Sequence, residues 1–114
     1  MRDVIITELD SNLSFNAEID NPPEVKQNFS TLYVDDKEVK SFTFAESNGE
    51  IVIKLKDSNA KISEYITNWH SSKKRINLMI ETNQHMYLVK GCYIKRFEDP
   101  EKAFSIFYNT FKES

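Results

Sequence analysis

Leu13-Ser14-Phe15-Asn16-Ala17-Glu18-Ile19-Asp20 alternates apolar and polar residues without a break. That period of two puts Leu13, Phe15, Ala17 and Ile19 on one side of an extended chain and the polar residues on the other, the pattern of a half-buried strand. Asn21-Pro22-Pro23 ends it, because proline has no amide hydrogen for a ladder and restricts the residue before it. Further strands are expected at Phe29 to Val34, Val39 to Ala45 and Ile51 to Lys56, joined by Asp35-Asp36-Lys37 and Ser47-Asn48-Gly49. Asn-Gly supplies the positive φ angles of a tight hairpin. Connections this short imply antiparallel neighbours, since parallel strands need a long crossover. Upstream, Asp3 to Leu9 reads as an edge strand or an extended arm.

The period changes once. Ile62, Tyr65, Ile66 and Trp69 are spaced i, i+3, i+4 and i+7, which aligns them on one helical face. Asp57-Ser58-Asn59 offers N-cap oxygens upstream, Ser71-Ser72 ends the helix, and Lys73-Lys74-Arg75 lies at the negative end of its dipole. With apolar neighbours on its face, Trp69 is expected in the core. Strand patterning resumes at Ile76, Leu78 and Ile80, turns at Thr82 to His85, and continues from Met86 to Phe97. Gly91 inside that long run predicts a bulge or a close backbone approach. A loop is expected at Glu98-Asp99-Pro100-Glu101. The final segment, Phe104 to Phe111, is apolar on both faces, as in a central strand or one that meets another subunit.

A chain of 114 residues fits one domain spanning residues 1–114. Its 39% hydrophobic and 29% charged content is that of a globular protein, neither disordered nor membrane-spanning. Cys92 is the only cysteine, so no internal disulfide is possible, and the N-terminus has no secretion-signal pattern. A cytoplasmic or virion location is therefore expected. Charge is uneven: residues 1–57 carry net −6 and residues 58–114 net +3. Such asymmetry suits stacking of unlike faces. An overall charge of −3 argues against nucleic acid as a partner.

Recognisable reaction chemistry is missing from the sequence. His70 and His85 lie at a helix end and a hairpin tip, outside any metal-ligand spacing. Gly49 and Gly91 are the only glycines and stand alone, so there is no phosphate loop. A Cys92/His nucleophile has no supporting flank, and Asp35-Asp36 is better explained as a charged turn than as a cation site. Lys73-Lys74-Arg75 becomes an anion patch only if folding brings Lys90, Lys95 and Arg96 to it. No catalytic, cofactor or metal residue is assigned, and the chain is expected to be non-enzymatic, with no small-molecule substrate and no membrane.

The expected fold is mainly β (α+β): an antiparallel barrel or sandwich of about seven strands with one amphipathic helix packed on it. From Phe29 to Phe111, the order of elements resembles the tube-forming proteins of contractile phage tails. The type VI secretion tube protein and baseplate-to-tube adaptors share that plan. The resemblance rests on the strands at 29–34, 39–45 and 51–56, the Tyr65-Ile66-Trp69 helix and the stretch Tyr87 to Lys95. It implies a barrel with a flanking helix whose subunits join edge to edge into stacking rings. The leading expectation is thus a ring-forming assembly subunit whose partners are its own copies or other tail components. Phe104, Ile106, Phe107, Tyr108 and Phe111 form the candidate protein interface. The alternative is a small monomeric binding module (an inhibitor, immunity or adaptor protein) that uses its acidic residues from Asp10 to Asp36.

Overall fold

The computed structural model describes residues 1–57, 59–99 and 102–114, with Glu98 and Asp99 described by backbone only. Nine strands and one helix lie among the described residues: β1 (Arg2–Glu8), β2 (Ser14–Ile19), β3 (Lys26–Val34), β4 (Lys37–Glu46), β5 (Gly49–Leu55), α1 (Ala60–Ser72), β6 (Ile76–Glu81), β7 (Met86–Asp99), β8 (Ala103–Tyr108) and β9 (Thr110–Glu113). One sheet runs β6-β1-β2-β5-β8-β7-β9, and an added β6–β7 pairing closes its first six strands into an antiparallel barrel. The expected β-rich fold with a single packed helix is what the chain adopts.

Alternation along each strand builds the core. Phe15, Ala17 and Ile19 from β2 meet Ile51, Ile53 and Leu55 from β5, and Phe104, Ile106 and Tyr108 from β8, all buried. Val4 and Ile6 also point inward, because β1 lies between β2 and β6 and is not the edge or arm that its weak pattern suggests. Each such side chain withdrawn from water contributes roughly 1.5–3 kcal/mol.

Asn59 caps α1, its side-chain oxygen accepting from the Ile62 amide at 2.9 Å, and Lys73 in the left-handed region (φ 54°) closes it. Ser58, another expected cap, lies outside the described residues. Ile62, Ile66 and Trp69 are buried, with Tyr65 half-buried beside them. Trp69 stands edge-on to Phe104 at 6.2 Å, and its indole N–H donates to the Lys74 carbonyl at 2.8 Å. A buried indole needs such a partner. Trp69 is therefore a core residue.

Both glycines mark close approaches, but only one as the pattern indicates. Gly91 has φ +67° where β7 slips register against β6, and a side chain there would meet the Asn109 amide at 2.7 Å. Asn109 itself breaks the C-terminal run into β8 and β9, which pair in succession along the same side of β7. Gly49 does not form the expected Asn-Gly hairpin, since β4 and β5 do not pair. It opens β5 beneath Tyr108, whose hydroxyl lies 2.6 Å from where a Cβ would sit. Glu98 and Asp99, expected to open a loop, instead continue β7, where Asp99 pairs with Ala103, and Pro100 and Glu101 lie outside the described residues.

Glu8 is a buried carboxylate at 2% exposure, which pattern reading did not single out. It accepts from the Asp10 amide (2.9 Å), the Ser11 amide (2.7 Å) and the Ser11 hydroxyl, tying down the turn after β1. Burial raises its pKa, but these donors together with Tyr65 outweigh burial and hold it below the ordinary 4.5. A group depressed in the folded state adds stability above its unfolded pKa and loses it as pH falls through the folded value. Native protein should therefore lose stability on acidification below about pH 4.5. Glu8→Gln should be less stable at neutral pH and flatten that slope, which urea midpoints across the acid range will read out.

Candidate functional site

β3 and β4 pair only with each other. They form a ribbon that stands clear of the barrel and gives the molecule extents of 59 × 32 × 25 Å. The radius of gyration is 17.0 Å, against about 13 Å for a compact chain of this length. The arm leaves after β2 and returns into β5 at one end of the barrel, whereas α1 joins β5 to β6 from the other end.

Local sequence explains why the ribbon forms. Asp35 and Asp36 have φ of 53° and 62°, the paired positive angles of a type I′ turn, whose twist matches that of the strands it joins. Aspartate tolerates this region through its short polar side chain. The turn explanation of Asp35-Asp36 is thus the one the backbone supports. Register then runs from Val34 opposite Lys37 back to Lys26 opposite Glu46, with an irregularity between Leu32 and Tyr33.

Residues directly opposite share a face. One face carries the pairs Asn28/Phe44, Ser30/Phe42 and Leu32/Lys40, and the other Phe29/Thr43 and Thr31/Ser41. Phe42 and Phe44 lie side by side at 6.1 Å. Exposure is 69% at Phe29, 61% at Tyr33 and 59% at Val39, and Leu32, Val34, Phe42 and Phe44 are exposed as well. An isolated two-stranded ribbon is marginal in water, and each outer edge is an open template for pairing. The arm thus concentrates exposed aromatic surface on the element least able to stabilise itself.

The candidate interface read from the sequence falls elsewhere. β8 is a central strand between β5 and β7. Phe104 and Ile106 are fully buried and Tyr108 nearly so, which corrects their reading as interface residues: their apolar character serves the barrel's own interior. Phe107 is half-buried on the outer face against Tyr93 at 5.6 Å, and Phe111 packs on Tyr87 and Tyr108.

Cys92 is fully buried, and burial pushes its thiol up to about 12. The thiolate needed for nucleophilic attack is therefore scarce at neutral pH. Iodoacetamide should leave the native protein unmodified at Cys92 and alkylate it rapidly in denaturant; rapid native alkylation would contradict this placement. His85 bonds Glu113 at 2.6 Å, and His70 stands against Phe97 at 4.6 Å. Among the described residues, no group of three His, Cys, Asp or Glu side chains is placed to hold a metal ion, and no helix is long and apolar enough to cross a membrane.

The basic residues converge only in part. Lys73 and Lys95 border one cleft of about 620 Å³ with Trp69, His70, Tyr93 and Ile94. Arg75 lies over the Tyr93 ring at 4.7 Å and donates to the Asn109 side-chain oxygen at 3.0 Å. Lys90 and Arg96 are not part of that lining. Neither a family model, nor a curated protein, nor a solved structure matches this chain.

Proposed function

We propose that this chain is a non-enzymatic assembly subunit of the ring- or tube-forming kind found in phage tails and baseplates. Its principal contact is the arm β3–β4. The observation that supports this reading is the exposure of Phe29, Leu32, Tyr33, Val39, Phe42 and Phe44 on a two-stranded ribbon detached from the barrel core. Apolar surface of that extent is ordinarily covered by another protein. Copies of the chain are the proposed cover, which makes assembly a property of the purified protein. Negative-stain images over a concentration series should show rings or stacked rings. Uniform particles of a single 13.4 kDa chain at every concentration would overturn the proposal and favour a monomeric binding module whose arm engages a different protein.

A further inference from the structure

We infer that the acidic apex of the arm docks into the cleft between the C-terminal end of α1 and β7 of a second copy. This inference rests on the assembly reading above and names the surface that receives the arm. The apex presents the carboxylates of Asp35 and Asp36 at the turn, with Glu38 behind them. Next to them stand the exposed apolar side chains of Tyr33, Val34 and Val39. The cleft offers the complement: Lys73 and Lys95 supply positive charge, and Trp69, Tyr93 and Ile94 supply apolar lining. Charge sign distinguishes this cleft from four others lined by described residues. The clefts beside the β1–β2 turn include Glu8 and Asp10 or Glu64, and those near the N-terminus include Asp3. Among the described residues, no acid lines the α1–β7 cleft.

The arm and the cleft are separate patches, so docking is heterologous: each copy gives an arm and receives one. Such contacts close into a ring or continue as a filament. Strands of 9 and 10 residues carry the apex about 30 Å from the root. That is ample to reach into a neighbouring barrel. Lys95 already pairs with Glu50 at 3.1 Å, the two side chains being 55% and 40% exposed. Such a surface pair is worth little, so an incoming carboxylate competes with it at small cost.

A double-mutant cycle on the full chain tests the contact. Asp35→Asn with Asp36→Gly removes both carboxylates and installs Asn-Gly, the preferred type I′ pair, so the ribbon itself is kept. Lys73→Asn with Lys95→Gln neutralises the cleft, and asparagine tolerates the left-handed position at 73. Each variant should keep the native thermal midpoint while raising the half-assembly concentration roughly tenfold or more. All four substitutions together should be no worse than either pair, because they remove the same interaction. Unchanged assembly in the cleft variant, or losses that multiply in the combined one, would overturn the inference while leaving the assembly reading standing. A native chain that never assembles would overturn both.

Discussion

Phe104→Ala should lower the unfolding free energy by about 3–5 kcal/mol, a large part of the 5–15 kcal/mol that a domain commonly has. Phe104 is fully buried where the helix meets the barrel. Its ring takes the edge of Trp69 at 6.2 Å and packs on Phe97 at 6.1 Å, while its backbone lies opposite Ile53 and Phe97. Truncation leaves a cavity that two sheet neighbours and a capped helix cannot easily collapse into. Urea unfolding should show a lower midpoint with an unchanged slope. Phe107→Ala, on the outer face of the same strand, should cost far less. Equal losses at 104 and 107 would contradict the inward and outward assignment of β8.

Replacing residues 26–46 with a short Gly/Ser linker should leave the barrel folded and abolish assembly. Lys26 and Glu46 lie opposite each other about 5 Å apart, so a short linker can join the residues that flank them, Val25 and Ser47. Every barrel strand finds its neighbours without the arm, β2 pairing directly with β5. The thermal midpoint should therefore move by no more than a few degrees. Loss of cooperative unfolding in this variant would show that the arm contributes to the core, against the geometry described here.

The barrel was legible because its strands carry a strict two-residue alternation of aliphatic side chains. Phe15 to Ile19 and Ile51 to Leu55 name their inward faces directly, whereas Leu13 lies before β2 and is only half-buried, and α1 names its face with a helical period. The arm was legible as two strands with a turn at Asp35-Asp36, but not as an arm. A signal was present nonetheless. Phe29, Leu32, Tyr33 and Val34 break the alternation, and serine and threonine sit among the aromatics on both faces. No continuous aliphatic stripe exists there to face a core. The Phe104 to Phe111 segment gave the opposite difficulty. Its apolar residues on both faces reflect a barrel interior on one side and local outer packing by Tyr93 on the other. Glu8 escaped notice because a lone acid at a strand end gives no sequence sign that backbone amides will surround it.

Sedimentation velocity of the intact chain, from low micromolar concentration upward, addresses most simply whether the arm exists to meet another copy. The expected result is a concentration-dependent shift to species well above 13.4 kDa, absent in the arm-shortened chain at equal concentration. A single 13.4 kDa species throughout, identical in behaviour with and without residues 26–46, would contradict it.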